Sequence, residues 1–502
     1  MKKLVLPGAL LLCSFCHAQT DVTRYVNSIH ARELKEKLEV LASPAMEGRE
    51  TATEGERKAA VFIEERFRQI GLSPANNGSY RQYWTLYQDS LASAAMTVYG
   101  AQFALDRHFA LSPGFVNTGT VQVSEVVFAG FGMVDSATND YQDIDVKDRW
   151  VIIVEGHPAD IDKTSALRWI GPAGTQSKIA AARLRGAKGV LMVTRNFPSR
   201  SSSLGKSGLY TRRNNGNFIV ANISYRAAAS ILTVGLKSFK DLLVVKPGIY
   251  KTDLKLQVNK ETLTLNSSNI VGLLEGSDKK DEYLVITAHY DHLGMRDGAI
   301  YHGADDDGSG TASVIEIAEA FAQAKKEALA PRRSILFMAV SGEEKGLLGS
   351  DFYANNPLFP LGKTTVNLNI DMVGRIDPKY QGDSLNYVYV IGDDKLSSDL
   401  RPITDSANQY FKMELDRRYT DVSDPNRFYY RSDHYNFAKN GVPIIFYFNG
   451  THADYHKPSD TVDKINFPLM EKRVRFIFHT AWLIAQRESM LKRDLELKVP
   501  NR

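Results

Sequence analysis

Histidine and aspartate side chains cluster in two neighbouring segments of the chain, residues 288–292 and 303–310. The first segment contains two histidines and one aspartate, and the second contains three consecutive aspartates and three glycines. Imidazole and carboxylate ligands without thiolate suit a hydrolytic metal ion such as zinc. The alternative is a polar loop in which aspartate and glycine act as turn and cap residues, a common use of both. The two segments alone do not decide between these interpretations.

A predicted strand and a predicted helix flank these segments. The apolar, β-branched run at residues 283–287 predicts a buried strand that ends just before His289. After residue 310 the apolar residues recur at helical spacing. Ligands of open α/β sheets bind in the crevice outside the carboxyl ends of the strands. We therefore expect His289 to lie at the binding edge of a sheet.

Polar residues also follow three later predicted strands, at 334–340, 366–370 and 443–448. The adjacent pair Glu343 and Glu344 follows the first, Asp371 the second, and the segment containing His456 the third. Each cluster alone is weak, because an aspartate after a strand is often a cap and a glutamate pair is usually solvated. Together with the opening segments, however, they bring histidines and carboxylates to one edge of one predicted sheet.

These residue types suit a site for two metal ions. Two divalent ions about 3.5–4 Å apart use a bridging carboxylate with terminal nitrogen and oxygen ligands, and they activate a water molecule. Adjacent glutamates can divide the work, since one can bind metal while the other takes a proton from the water. Asp291, two residues after His289, is placed to accept the second ring N–H of that histidine and fix its tautomer.

Five segments carry a family resemblance: His-Tyr-Asp at 289–291, Gly-Ala-Asp-Asp-Asp-Gly-Ser-Gly at 303–310, Gly-Glu-Glu-Lys-Gly at 342–346, Asp-Met-Val-Gly at 371–374 and His-Lys-Pro-Ser-Asp-Thr at 456–461. In order and spacing they resemble the di-zinc aminopeptidases of metallopeptidase family twenty-eight, which include secreted bacterial leucine aminopeptidases and the glutamate carboxypeptidase group.

The resemblance implies a role for each matching residue. Asp306, the middle aspartate of its run, would bridge two Zn²⁺ ions. His289 and Asp371 would complete the site of one ion, and Glu344 and His456 that of the other. Glu343 would be the general base that later gives its proton to the leaving amine, with Asp291 as a further catalytic residue.

Other polar residues near these motifs have weaker assignments. We interpret His292, His302 and His452 as loop or lining residues, since the implied ligand set is complete without them. The segment Arg-Ser-Asp-His at 431–434 resembles one that lines the site in the family, so Asp433 or His434 could position substrate or support a ligand. Tyr455 could help to hold a tetrahedral intermediate.

Strands that alternate with helices predict an α/β fold with a mostly parallel, helix-covered sheet. The resemblance implies the zinc exopeptidase (phosphorylase/hydrolase-like) fold with a smaller inserted α/β domain, the protease-associated domain. We predict a signal peptide at 1–18, N-terminal helices and strands of the catalytic domain at 19–109, the insertion at 110–255 and the rest of the catalytic domain at 256–502.

The first residues predict export. Two lysines, an apolar run to Phe15 and small residues before a cut after Ala18 are typical of a secretory signal peptide. The run is too short to span a membrane, and no later segment is long and apolar enough. Both cysteines lie in the predicted signal peptide, so a metal in the mature chain would be held by histidine and carboxylates. Removal of Lys2 and Lys3 with the signal peptide lowers the formal charge from +4 to +2, which gives no case for nucleic-acid binding.

The sequence therefore predicts an exported, periplasmic or extracellular, zinc metallopeptidase that acts on peptide substrates, with an aminopeptidase as the first choice. Alternatives on the same fold are a carboxypeptidase, a dipeptidase or a glutaminyl cyclase, and a cyclase would need only one zinc. A non-catalytic receptor-like module is disfavoured, because all five ligand positions and the base position carry competent residues. The substrate side-chain preference, the native metal and the oligomeric state are not predicted.

Overall fold

The computed structural model describes residues 22–135, 138–158, 174–195, 197–199, 202–212 and 218–497. The predicted signal peptide at 1–18 lies outside the described residues. The chain divides into two compact units, one formed by residues up to Thr85 and from Asn266 onward, the other by Leu86–Leu265. The insertion predicted at 110–255 falls inside the second unit, which has wider limits on both sides. The limits of the unit fall within the long strands Arg81–Val98 and Gly248–Leu274. No change in the residue pattern of these strands marks the limits in the sequence.

The first unit is built on a mostly parallel sheet, which confirms the predicted fold class. Its strands lie in the order Glu414–Asp416, Tyr387–Ile391, Ile444–Phe448, Thr364–Ile370, Lys279–His289, Arg333–Val340 and the end of Gly248–Leu274. The strand Lys279–His289 is parallel to both of its neighbours, and His289 pairs with Val340. Antiparallel pairs occur between Tyr387–Ile391 and Ile444–Phe448 and between Arg333–Val340 and residues 270–274. The strands that end at residues 289, 340, 370 and 448 therefore reach the same edge.

Helices cover this sheet and bury its apolar strands. Their bounds are Ala31–Leu41, Glu54–Ile70, Gly310–Lys326, Leu348–Asn355, Leu400–Phe411, His434–Ala438 and Phe467–Ala485. Every residue of Arg333–Val340 is buried. The ring of Phe321 lies 4.6 Å from that of Phe478 and 5.6 Å from that of Trp482, so the helices Gly310–Lys326 and Phe467–Ala485 share one core. Short strands complete the unit at Ser73–Pro74, Gly294–Arg296 and Ala299–Tyr301. Among the described residues, no helix is long and apolar enough to cross a membrane.

The second unit has its own sheet and core. Its strands are Ala101–Phe103, Phe109–Leu111, Gly119–Phe128, Trp150–Val154, Gly189–Val193, Ile219–Ile223 and part of Gly248–Leu274, and its helices are Thr175–Leu184 and Tyr225–Leu232. The four strands from Gly119–Phe128 to Ile219–Ile223 run parallel in that order. Trp150–Val154 and Gly189–Val193 are entirely buried, as their continuous apolar sequences require.

Candidate metal centre

The run of three aspartates follows the strand Lys279–His289, and its members have different partners. Asp307 accepts hydrogen bonds from the main-chain N–H groups of His289, Gly310 and Met372 at 3.1, 2.9 and 3.1 Å. Asp305 accepts one from the main-chain N–H of Gly374 at 2.7 Å. Both outer carboxylates thus hold the ends of neighbouring strands, and the carboxylate of Asp306 is the one that faces the predicted ligands.

One group of predicted ligands lies around Oδ1 of Asp306. The Nε2 atom of His289 is 3.3 Å from this oxygen and 3.7 Å from Oδ1 of Asp371. His289 is the last residue of its strand and Asp371 directly follows the strand Thr364–Ile370. We call His289, Asp371 and Asp306 Oδ1 the His289 group.

A second group lies around Oδ2 of the same aspartate. The Nε2 atom of His456 is 3.1 Å from Asp306 Oδ2 and 3.3 Å from Glu344 Oε1. Glu344 and His456 both lie in loops that follow strands. We call Glu344, His456 and Asp306 Oδ2 the His456 group. The structure thus places all five predicted ligands together, with Asp306 shared between the groups.

The donor set fits metal ions. Zn–N and Zn–O bonds of about 2.0–2.2 Å place neighbouring ligand atoms roughly 3.0–3.6 Å apart, close to the 3.1–3.7 Å separations in the two groups. Asp306 Oδ2 and Glu344 Oε1 are buried and have no hydrogen-bond partner among the described residues. Buried carboxylate oxygens without partners are costly, and a cation between them would remove that cost.

Comparison with known proteins identifies the domain. Residues 269–481 match the sequence model of Peptidase family M28. These residues form a Peptidase family M28 domain. Aminopeptidase NAALADL1 of Rattus norvegicus is 34% identical over 123 residues, which are 24% of this chain and 16% of that protein. Probable glutamate carboxypeptidase LAMP1 of Arabidopsis thaliana is 32% identical over 139 residues, 28% of this chain and 19% of that protein. The chain therefore spans less than a fifth of the length of either relative.

A solved structure resembles the chain over most of its length. The aminopeptidase from Aneurinibacillus sp. strain AM-1 superposes with a TM-score of 0.55 at 18% identity, and the match covers 96% of this chain and 100% of that one. At this identity the likeness concerns the fold. It agrees with the α/β architecture of the M28 domain.

The adjacent glutamates of the M28 domain point to different groups. Glu344 Oε1 belongs to the His456 group, whereas Glu343 Oε2 lies 3.9 Å from His289 Nε2. Burial and Asp306 would raise the pKa of Glu344, but the neighbouring imidazoles lower it to about 2. Burial and the charge of Glu344 raise the pKa of Glu343 well above its usual value, against the opposite effect of His289. Without metal, Glu344 is therefore the more acidic of the two adjacent glutamates.

The carboxylates in turn shift the pKa values of the imidazoles of His289 and His456. Burial would lower the pKa of His289, but Glu343, Asp306 and Asp371 raise it well above its usual value. Burial likewise opposes the charge on His456, but the nearby carboxylates of Asp306 and Glu344 raise the pKa of His456 to about 10. The carboxylates dominate the electrostatics, so the site as a whole favours cations.

Asp291 makes a different contact from the one predicted. Nδ1 of His289 lies 3.0 Å from the main-chain carbonyl oxygen of Asp291 and 3.7 Å from its carboxylate. The carboxylate instead accepts hydrogen bonds from the hydroxyl of Thr51 at 2.7 Å and the main-chain N–H of Glu343 at 3.2 Å. The ring of His289 is therefore oriented by the chain turn after its strand, and the side chain of Asp291 holds the loop that carries Glu343.

Arg49 joins the two segments with which the sequence analysis began. Its side chain is fully buried. The guanidinium donates to the main-chain oxygens of Tyr290, His302 and Gly303 at 2.7, 2.8 and 2.9 Å, and to that of Leu41 at 2.7 Å. A buried guanidinium that satisfies four carbonyl groups fixes the spacing of the two ligand-bearing turns.

A small cavity adjoins the His289 group and Glu343. Apolar walls come from Met372, Phe428, Phe446 and Phe448, and Thr451, Tyr455 and Arg431 also line it. The ring of Tyr455 stacks on that of His456 with centroids 3.9 Å apart. The cavity is large enough only for part of a substrate, and its walls suit an apolar group next to the candidate metal centre.

Two residues of the segment 431–434 differ in their surroundings. His434 is buried, stacks on Phe446, and its Nε2 lies 2.7 Å from the carbonyl oxygen of Tyr429, so it packs beneath the cavity wall. Asp433 is fully buried and accepts a hydrogen bond from Ser350, and burial raises its pKa to about 7. Neither side chain lines the cavity.

Two further histidines approach the carboxylates. His292 Nδ1 lies 2.9 Å from Glu344 Oε1, and His452 Nε2 lies 3.2 Å from Asp305 Oδ2. From the sequence both were interpreted as loop or lining residues, because the implied ligand set was complete without them. His302 is a loop residue as expected, since its Nδ1 lies 2.9 Å from the carbonyl oxygen of Ala42.

Proposed function

We propose that the chain is an exported di-zinc aminopeptidase that removes N-terminal residues from peptides. The observation that carries the proposal is the pair of ligand groups that share Asp306, with the non-ligand carboxylate of Glu343 beside them. In that role His289 and Asp371 would hold one Zn²⁺, Glu344 and His456 the other, and Asp306 would bridge them. Bound zinc ions would polarise the scissile carbonyl and lower the pKa of a water molecule.

Glu343 would act as the general base. A carboxylate beside the bound water could take a proton from it and then return that proton to the leaving amine. The hydrogen bond between the main-chain N–H of Glu343 and Asp291 fixes the loop from which the side chain projects. Thr51 in turn holds Asp291, so Thr51 and Asp291 would position the base without touching the substrate.

The cavity would receive the N-terminal residue of the peptide. Its aromatic walls favour an apolar side chain, and Glu343, the carboxylate that binds no metal, could accept a hydrogen bond from a free α-amine. One observation supports a second candidate, a carboxypeptidase or dipeptidase: Arg431 also lines the cavity, and guanidinium groups bind carboxylates well.

A panel of chromogenic substrates separates the two candidates. The panel pairs aminoacyl derivatives with the same compounds blocked at the amine, and peptides with a free C-terminus with the same peptides amidated. For an aminopeptidase we expect turnover only when the α-amine is free. Turnover only with a free C-terminus, together with an increase in KM for those substrates in Arg431→Ala, would establish the second candidate.

Metal content tests the cofactor part of the proposal. Two zinc ions per chain are expected after reconstitution and dialysis, and one ion would instead favour the glutaminyl cyclase alternative.

For export and domain organisation, we propose cleavage after Ala18 and a protease-associated insertion within Leu86–Leu265. N-terminal sequencing of the protein recovered outside the cytoplasm would test the first, and a start elsewhere than at residue 19 would contradict it.

A further inference from the structure

We propose that His292 is a third histidine ligand of the metal centre and binds the ion of the His456 group through Nδ1. The inference rests on the proposed function, since it concerns the same pair of ions. It adds a residue outside the five predicted ligands. The first observation is position: Nδ1 of His292 lies 2.9 Å from Glu344 Oε1 and 3.9 Å from Asp306 Oδ2, the two carboxylate oxygens that His456 also faces.

These contacts have the geometry of shared ligation rather than of a hydrogen bond. Although Nδ1 of His292 is within 2.9 Å of Glu344 Oε1, neither ring nitrogen of His292 and neither of the two facing carboxylate oxygens has a hydrogen-bond partner among the described residues. In a metal site, a line between two ligand atoms makes an angle of roughly 35–45° with each metal–ligand bond, as bonds of about 2.1 Å and separations near 3.3 Å require. Two ligand atoms of one ion therefore lie close together without the alignment of a hydrogen bond, as Nδ1 of His292 and Oε1 of Glu344 do.

Burial strengthens the assignment. The side chain of His292 is fully buried, so its unpartnered ring nitrogens have no water to bind at the surface. A buried imidazole without a partner is costly. A metal ion beside Nδ1 would satisfy that nitrogen together with the unpartnered oxygens of Asp306 and Glu344.

The surrounding chain fixes the ring in this place. The main-chain N–H of His292 donates to the carbonyl of Arg49 at 3.1 Å. On the other side Gly303 adjoins the ring so closely that a Cβ atom there would lie 2.5 Å from two ring carbons. Gly303 also has a φ of +55°, which disfavours other residues. The rings of His292 and His456 lie edge to face with centroids 5.9 Å apart, so the two imidazoles approach the carboxylate pair from different directions.

Cysteine replacement tests ligation directly. In His292→Cys the thiolate would take the place of Nδ1, and after reconstitution with Co²⁺ alone a metal-bound thiolate gives a charge-transfer band in the near ultraviolet. His456→Cys is the positive control for the same ion. His302→Cys is the matched negative control, because His302 lies on a nearby loop and its Nδ1 faces the Ala42 carbonyl. The two native cysteines lie before the proposed cut after Ala18, and difference spectra against the parent remove their contribution wherever the leader is retained.

We expect the band in His292→Cys and His456→Cys and its absence in His302→Cys. A band in His456→Cys but not in His292→Cys would overturn the assignment of His292. Absence of the band from both would overturn the metal centre of the proposed function as well, so the two failures are distinguishable.

X-ray absorption spectroscopy at the zinc edge counts the imidazole ligands and gives a second readout that does not require a variant to fold. The parent protein loaded with two zinc ions should show three imidazoles shared by the two ions, whereas two imidazoles would overturn the proposal. In His292→Ala we expect one of the two ions to be lost on dialysis and the other to remain, with an unchanged circular dichroism spectrum. Retention of both ions in the folded variant would contradict ligation.

Discussion

The two ligand groups of the candidate metal centre share Asp306 but differ in exposure: the side chain of His289 is 1% exposed and that of His456 is 38% exposed. His289 ends a central strand, and its main chain is held by Asp307 on one side and Thr311 on the other. His456 lies in a loop and has a φ of +57°, a conformation that costs about 1–3 kcal/mol for a residue other than glycine. The sheet thus positions one group before any ion binds, whereas loops position the other.

The difference suggests that the His289 group and the His456 group, the two halves of the metal centre, have different roles. A buried, strand-held half gives a fixed location for one ion, and in the other half the more exposed, loop-held His456 can adapt.

The largest effect is expected from Asp306→Ala, because this carboxylate belongs to both groups. Loss of the bridge should prevent both ions from binding and reduce activity to background, a loss of roughly 10⁴-fold or more. Metal analysis after dialysis and hydrolysis of an aminoacyl substrate would measure the two effects. Retention of one ion would show that the halves are independent even without the shared ligand. Asp305→Ala is unsuitable as a control, since its carboxylate holds the main chain at Gly374.

The second effect separates chemistry from metal binding. In Glu343→Gln both ions should stay bound, because Glu343 is not a ligand, while kcat should fall by roughly 10²–10⁴-fold, the usual contribution of a general base. The matched variant is Glu344→Gln at the next position, for which we expect loss of the ion of the His456 group as well as of activity. If Glu343→Gln kept most of its activity, the assignment of the base would be wrong.

Much of this site follows from the sequence for a clear physical reason. His289, Glu343, Asp371 and His456 come after parallel strands, and parallel strands bring their carboxyl ends to one edge. The residue pattern therefore indicated both the binding edge of the sheet and the residue types found there. The alternation of strands and helices predicted the helix-covered sheet.

The parts that were not predicted depend on contacts between distant residues. The family resemblance implied Asp306, but the residue pattern alone does not show which aspartate of the run faces the site: the main-chain N–H groups of Met372 and Gly374 bind the outer two. No local pattern reveals those contacts. His292 was set aside because five ligands already sufficed, and its approach to Glu344 requires the fold of two separate loops. The contact of His289 with the Asp291 carbonyl depends on a turn whose course the sequence does not give.

The third prediction compares the two halves directly. When the two-zinc protein is titrated with a chelator, the ion of the more exposed His456 group should leave first, with an affinity lower by on the order of 10-fold. His456→Ala should contain one ion, and that ion should match the tighter of the two in the parent. Simultaneous release of both ions, at every chelator concentration, would contradict a difference between the halves.

The smallest effect concerns pH and uses the metal-depleted protein. Contacts with Asp306 and Glu344 raise the pKa of His456 to about 10, against the opposing effect of its burial, whereas an unfolded histidine titrates near 6.5. Because the folded pKa is the higher one, the folded state binds the proton more tightly. The stabilisation from the imidazolium is complete below pH about 6.5 and is lost as the pH rises through about 10.

His456→Gln should therefore weaken the decline in the free energy of unfolding between these pH values. We expect the parent to lose about 1 kcal/mol more than the variant over the range, because solvent screens a side chain that is 38% exposed. Urea unfolding at pH 6 and pH 10 measures the difference, and His302→Gln serves as the control for a loop histidine outside both ligand groups. A steeper decline in His456→Gln than in the parent would show that the carboxylates do not hold a proton on His456, and the exposed half would then have to be organised by the metal ion itself.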